Sequence, residues 1–187
     1  MGNRTSKLKP VVLEDIWSST EFSHVEILQW YRDFIRGFPD GRIPMSVFQD
    51  VYGKFFPGGD SSKFASDVFR TFDTNKDGFI DFREFMCGLN STCRGKPEKK
   101  CEWAFNMYDT NGDGRIQKHE MVEMITTVFK MVGSSKKLVL KENLTPEQLT
   151  DKIFLQMDKD GDGSLTFQEF FEGAKKDPVC IRLLLGD

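Results

Sequence analysis

The sequence predicts an all-α protein of two lobes, each built from two paired helix–loop–helix units. Three observations carry that prediction. The first is a twelve-residue loop pattern that occurs three times, opening on aspartate, placing glycine sixth and closing on glutamate. The copies are Asp73–Glu84 (DTNKDGFIDFRE), Asp109–Glu120 (DTNGDGRIQKHE) and Asp158–Glu169 (DKDGDGSLTFQE). The second is the apolar frame around each copy. Phe69 and Phe72, Phe105 and Tyr108, and Phe154 and Met157 stand four and one residues before the opening aspartate, on one helical face. Phe85, Met121 and Phe170 follow each closing glutamate directly. The third is spacing: Gly78 and Gly114 lie 36 residues apart, and a step of 37 back from Gly78 lands on Gly41, inside a fourth, degenerate copy.

The loop chemistry is that of the EF-hand, a cage for Ca²⁺. This hard cation takes about six to eight oxygens, and a central glycine lets one short segment turn around it. Positions 1, 3 and 5 offer side-chain oxygens, position 7 a backbone carbonyl, position 9 an oxygen that often acts through water, and position 12 a bidentate glutamate. The first complete loop thus presents Asp73, Asn75, Asp77, the Phe79 carbonyl, Asp81 and Glu84. The next presents Asp109, Asn111, Asp113, the Arg115 carbonyl, Gln117 and Glu120. The last presents Asp158, Asp160, Asp162, the Ser164 carbonyl, Thr166 and Glu169. Mg²⁺ competes for the same oxygens. In the degenerate copy Ile43 and Phe48 keep the register of Ile80 and Phe85, but Arg36, Phe38 and Val47 stand at positions 1, 3 and 12. Only Asp40 remains as an oxygen donor, and Pro39 and Pro44 stiffen the turn. The expectation is four helix–loop–helix units and three metal sites.

The elements follow in order. Residues 1–22 form a basic arm and a first helix. Ser23 with Glu26 reads as a capping box that starts the next helix, and residues 23–92 form the N-terminal pair. A hinge is expected near Arg94-Gly95-Lys96-Pro97, followed by the C-terminal pair over 96–176. Ile80, Ile116 and Leu165, at position 8 of their loops, suit the short β-bridge that joins paired loops. The extra length before the last loop falls in Val132–Asn143, a Gly/Ser/Lys-rich linker. Thr145-Pro146-Glu147-Gln148 then reads as N-cap, first-turn proline and capping box. Residues 177–187 hold a last short helix, about Val179–Leu185, after Pro178.

Composition excludes several classes. The chain has 187 residues, 39% hydrophobic and 29% charged, with a formal net charge of −3. Eleven of its 29 acids lie in the three loops, where bound Ca²⁺ would neutralise them, and no basic face for nucleic acid is visible. No apolar run is long enough to span a bilayer, and the N-terminus lacks the apolar core of a signal peptide, so a cytoplasmic protein is expected. Cys87, Cys93, Cys101 and Cys180 show no paired spacing and read as reduced thiols. His24 and His119 are scattered, and no nucleophile motif or phosphate cradle appears, so no catalysis is expected.

Two features point to partners. Many of the 18 phenylalanines fill core positions of the repeat, among them Phe69, Phe72, Phe85, Phe105 and Phe170, but others do not. Leu28, Trp30, Tyr31 and Phe34 on one helix, and Phe48, Val51, Tyr52, Phe55 and Phe56 on the next, make bands too wide for the core of a small lobe; Phe85 borders them. Opening of an EF-hand pair exposes such faces as a groove for an amphipathic helix or an acyl chain. The N-terminal Met1-Gly2-Asn3-Arg4-Thr5-Ser6 fits the N-myristoylation pattern, with Gly2 the acceptor once Met1 is removed. One such chain binds membrane with only about 10⁴ M⁻¹. Arg4, Lys7 and Lys9 add attraction to anionic lipid of roughly 1 kcal/mol each.

Taken with these residues, the chain resembles the neuronal calcium sensor family, in its visinin-like, neurocalcin and hippocalcin branch. The resemblance runs from MGNRTSKL through TEFSHVEILQWYRDFIRGFP, FRTFDTNKDGFIDFREF, WAFNMYDTNGDGRI and LTPEQLTDKIFLQMDKDGDGSLTFQEF to KKDPVCIRLLL. It implies a disabled first hand, a calcium–myristoyl switch and docking to anionic membrane and to amphipathic helices of membrane-associated signalling proteins, as a monomer or a weak dimer. One departure matters: relatives carry Cys-Pro-x-Gly in the first loop, where this chain has Phe38-Pro39-Asp40-Gly41. The alternatives are a standing regulatory subunit of one enzyme, which holds its partner without Ca²⁺, and a pure Ca²⁺ buffer, which needs neither groove nor lipid anchor.

Overall fold

Capping side chains set the helix starts. The Ser23 hydroxyl accepts from the Glu26 N–H while the Glu26 carboxylate accepts from the Ser23 N–H at 2.9 Å, and Thr145 and Gln148 repeat the exchange. The computed structural model describes residues 7–133 and 144–176. Gly2, Arg4, most of the Val132–Asn143 linker and the helix expected near Val179–Leu185 lie outside the described residues.

Helices α1 (Pro10–Ser19) and α2 (His24–Gly37) lead into strand β1 (Arg42–Pro44) and α3 (Met45–Gly53). The second unit is α4 (Ser62–Phe72), β2 (Phe79–Asp81) and α5 (Phe82–Leu89), which runs on as a π-helical turn over Asn90–Arg94. Next come α6 (Pro97–Tyr108), β3 (Arg115–Gln117) and α7 (Lys118–Val132). The last described unit is α8 (Pro146–Met157), β4 (Ser164–Thr166) and α9 (Phe167–Lys176). The fold is all-α with paired EF-hands, and the strands serve only to couple loops.

The loop bridges form at Ile80, Ile116 and Leu165 as expected, and Ile43 joins them. β1 pairs antiparallel with β2, setting Ile43 opposite Ile80, and β3 with β4, setting Ile116 opposite Leu165. All four side chains are buried, so each bridge is anchored on the core beneath it. Gly41 takes φ +75°, close to the +84°, +83° and +81° of Gly78, Gly114 and Gly163. A left-handed turn of this kind suits glycine, and the degenerate loop keeps it although its ligands are gone.

The segment read as a hinge is pinned. The Arg94 guanidinium bonds the Glu26 carboxylate at 2.6 Å and lies 4.6 Å above the Phe22 ring, while Asn90 accepts from the Glu21 N–H. Arg83 bonds Asp15, which ties α1 to α5. The two pairs also touch directly. The Trp103 indole N–H donates to the Thr71 hydroxyl at 2.8 Å, and Lys63 meets Glu123 at 3.4 Å. The Asp60 N–H donates to the Lys130 carbonyl near the end of α7. At that crossing a Cβ on Gly59 would stand 2.0 Å from the Met131 carbonyl oxygen, and one on Gly133 would stand 2.2 Å from that of Gly58.

Candidate metal centres and apolar face

Each complete loop is organised by its two end carboxylates. The opening aspartate accepts from amides inside the turn: Asp73 from Asp77 and Gly78, Asp109 from Gly112, Asp113 and Gly114, and Asp158 from Gly161 and Gly163. The closing glutamate spans the ring. One Glu84 oxygen accepts from the Thr74 and Asn75 N–H groups, the other from Asp81. Glu120 binds Thr110, Asn111 and Gln117 in the same way, and Glu169 binds Lys159 and Thr166. The glutamate is also the third residue of its exit helix, so one carboxylate closes the loop and caps α5, α7 or α9.

These carboxylates fit a divalent cation. Glu120 is 1% exposed and Glu84 4%, and Asp73 and Asp109 are buried too. Taking carboxylates out of water is costly unless a cation compensates, and the bonds that Glu84 and Glu120 accept from Thr74 and Thr110 come from neutral amides and hydroxyls. The remaining candidate oxygens, from Asn75, Asp77, Asp81, Asn111, Asp113, Gln117, Asp160, Asp162 and Thr166, lie on the same three loops. In the last loop Asp158, Asp160 and Asp162 bring carboxylate oxygens within 4.8 Å of one another. Neighbouring hydrogen-bond donors hold the Asp113 and Asp162 carboxyls below the usual range, Asp113 through the Arg115 N–H first and Asp162 through the Ser164 hydroxyl first. Phe79, Arg115 and Ser164, the carbonyl donors at position 7, each sit at the start of a strand.

The degenerate loop has other occupants. Arg36 at position 1 turns to Asp33, and the Phe38 ring at position 3 packs 5.3 Å from Phe34. Val47 packs on the core where a closing carboxylate would stand. The Arg42 guanidinium at position 7 lies 4.6 Å over the Phe79 ring of the partner loop.

The apolar candidates divide. Leu28, Trp30, Val51 and Phe55 are exposed, with Phe55 at 73%. Tyr31, Phe48, Tyr52, Phe56 and Phe85 are half-buried and pack against the core beneath them. Trp30 meets Phe85 edge-on at 5.9 Å, and Tyr52 stacks between Phe48 and Phe56 at 5.8 and 5.5 Å. Burial pushes the Tyr52 phenol up to about 12. Phe34 is set apart from the others: it is 4% exposed and clamped by Phe38, Phe82 and Phe85, a core residue in this conformation. Lys7 and Lys9 are exposed ahead of α1. Among the described residues no helix is long and apolar enough to cross a membrane.

Comparison with known proteins follows this architecture. Family models match an EF-hand domain pair at residues 98–175 and an EF hand domain at residues 64–92. Neuronal calcium sensor 1 of Lymnaea stagnalis is 46% identical over 184 residues, covering 98% of this chain and 96% of that protein. The chain belongs to the neuronal calcium sensor family. Human recoverin is 40% identical over 186 residues, 98% of this chain and 93% of its own, and chicken (Gallus gallus) visinin is 39% identical over 186. As a member of this EF-hand family the protein is a calcium-binding regulator and not an enzyme.

The contacts between the two pairs were not legible in the sequence. The Arg70 guanidinium on α4 donates to the carbonyls of Met107 and Thr110, at 3.0 and 3.4 Å, and so bonds the start of the Asp109–Glu120 loop from the other pair. A single arginine on a helix face carries no sequence signal for that role.

Proposed function

We propose that this neuronal calcium sensor binds three Ca²⁺ ions, one in each complete loop. It then presents the apolar face of α2 and α3 to an amphipathic helix of a membrane-associated signalling protein, and docks reversibly on anionic membrane through a myristoyl group on Gly2. The observation that carries the reading is the burial of the three closing glutamates, each a helix cap and a loop clasp at once. A carboxylate that turns from loop amides to an ion also moves the first turn of its exit helix. Reorientation of α5 against α4, passed to α3 through the β1–β2 bridge, is the step that would open the N-terminal pair. Leu28 and Trp30 on α2 and Val51 on α3 are already exposed, as is Phe55, which with Phe56 falls in the turn after α3 and not on the helix as expected. Lys7 and Lys9 supply the electrostatic part of membrane binding, which a single acyl chain needs as a second signal. The protein would reside in the cytoplasm and at its membrane surface.

Calorimetric titration tests the ion count. Wild type is expected to take up three Ca²⁺, and Glu84→Gln, Glu120→Gln and Glu169→Gln each to lose one. Co-sedimentation of acylated protein with anionic liposomes tests the switch, beside Gly2→Ala. Pelleting of the acylated form with Ca²⁺ alone supports it; pelleting that ignores Ca²⁺ points instead to a constitutively anchored regulator.

A further inference from the structure

The pair formed by the last two loops contains an arrangement that the ion-binding pattern does not require. Arg115 stands at position 7 of the Asp109–Glu120 loop, where its backbone carbonyl is a candidate ligand. Its side chain crosses the β3–β4 bridge. There the guanidinium bonds the Asp162 carboxylate and, at 2.8 Å, the Ser164 hydroxyl. Asp162 is position 5 of the other loop and one of the three acids drawn within 4.8 Å of each other. The other Asp162 oxygen accepts from the Ser164 N–H and hydroxyl, both at 2.8 Å. A cation thus already stands against the carboxylate cluster that an ion would neutralise.

The N-terminal pair provides an internal comparison. Arg42 occupies the same position 7 in the degenerate loop, yet its guanidinium rests on the Phe79 ring. Phe79 and Ser164 are equivalent residues. The large ring receives the arginine at one bridge; the small serine lets it reach past to the acid at the other.

We propose that Arg115 tunes calcium affinity, as a tethered competitor that weakens ion binding in the Asp158–Glu169 loop. The inference rests on the reading of these loops as Ca²⁺ sites. One residue then serves two sites, with its carbonyl in one loop and its charge against the other. Free Ca²⁺ must bind beside a fixed positive charge only a few ångströms away, in a setting where both side chains remain partly exposed. A single and a double charge at near-aqueous dielectric, partly screened by salt, give an effect of about threefold to tenfold in affinity.

The test follows the backbone amides of Gly78, Gly114 and Gly163 by NMR in the full chain during Ca²⁺ titration, since each donates into its own loop. Arg115→Gln is expected to move the Gly163 midpoint to about threefold to tenfold lower free Ca²⁺ and to leave Gly78 unmoved, with the gain shrinking as salt rises. Arg115→Lys keeps the charge and is expected to recover much of the wild-type midpoint. Lys159→Gln removes a positive charge from the same loop, one that pairs with Glu172 and not with a candidate ligand. An equal gain from Lys159→Gln overturns the inference, as does an unmoved or higher Gly163 midpoint in Arg115→Gln. A wild-type Gly163 amide that never responds to Ca²⁺ refutes the calcium reading of that loop, and the inference with it.

Discussion

Gly88 and Gly173 occupy equivalent places, four residues after the closing glutamates of their loops, yet they predict unequal responses to one methyl group. A Cβ at Gly88 would stand 2.4 Å from two carbons of the Phe72 ring. That ring is 6% exposed and packed 6.0 Å from Phe48, so it has little room to retreat. A Cβ at Gly173 would stand 2.4 Å from Met157 Cγ, with the sulfur and terminal methyl within 2.9 Å. The thioether sulfur and methyl can move where a rigid ring cannot, but Cγ shifts only with the first torsion and Met157 is itself buried, so the relief is partial. Alanine in a helix interior gains about 0.5–1 kcal/mol over glycine, while forcing a methyl into a packed core costs about 1–3 kcal/mol. Gly88→Ala is therefore expected to lose about 1–2 kcal/mol. Gly173→Ala is expected to lose less than Gly88→Ala, by about 1 kcal/mol, because part of the Met157 side chain can repack. At about 2–4 °C per kcal/mol for a chain of this size, the first variant melts about 2–8 °C lower. Thermal unfolding should be followed with chelator present, because bound ion adds stability by mass action. Equal losses in the two variants, or a Gly88→Ala protein as stable as wild type, would refute the argument from ring rigidity.

Other expectations are narrower. Ser23→Ala removes the acceptor of the α2 capping box and should cost about 1 kcal/mol in urea unfolding. The Arg94 guanidinium first, then the Ser23 N–H and hydroxyl, hold Glu26 down to about 2 from 4.5. That stabilisation is present above 4.5 and is lost as pH falls towards 2, so Glu26→Gln should flatten the acid limb of the stability profile in that window. Tyr52 behaves in the opposite sense: burial favours its neutral phenol, so stability falls as pH rises from 10 towards 12, and Tyr52→Phe should remove that part of the alkaline loss. Trp103→Phe keeps an aromatic ring but leaves the Thr71 hydroxyl without the indole N–H, for an expected loss of about 1 kcal/mol by denaturant titration.

What was legible in the sequence is what short spacing encodes. The loops, the capping boxes at Ser23 and Thr145, and the places of Ile80, Ile116 and Leu165 in the loop bridges depend on residues at fixed short offsets, or on a repeat that sets two loops in register. The degenerate hand was legible for the same reason, because Gly41 keeps its place in the repeat. Contacts between distant residues of ordinary type were not. Nothing in the neighbourhood of Arg70, Thr71 or Trp103 distinguishes them from solvated helix residues until α4 and α6 are set side by side. Arg94 sits in a segment whose glycine and proline suggest a free hinge, yet its charge finds Glu26 68 residues away. Phe34 lies within an apolar band wide enough to suggest a groove, and only three neighbouring rings show that it faces inwards. Arg115 was read for its carbonyl, while its side chain depends on the small size of Ser164 across the bridge.

The crossing of Gly58 and Gly59 over the end of α7 limits how freely the halves of this chain can be exchanged. Repetition of a loop–helix unit suggests interchangeable modules, and the ligand pattern does recur in three of the four loops. The join does not. A half taken from another protein would need residues without a Cβ where Gly59 and Gly133 now pass, since a methyl on either would stand 2.0–2.2 Å from a backbone oxygen. It would also need to provide the hydroxyl of Thr71 or the indole of Trp103. Chimeras cut at Gly95 would therefore keep every candidate ion loop and still fail at the seam, unless the two sides of that seam were transplanted together.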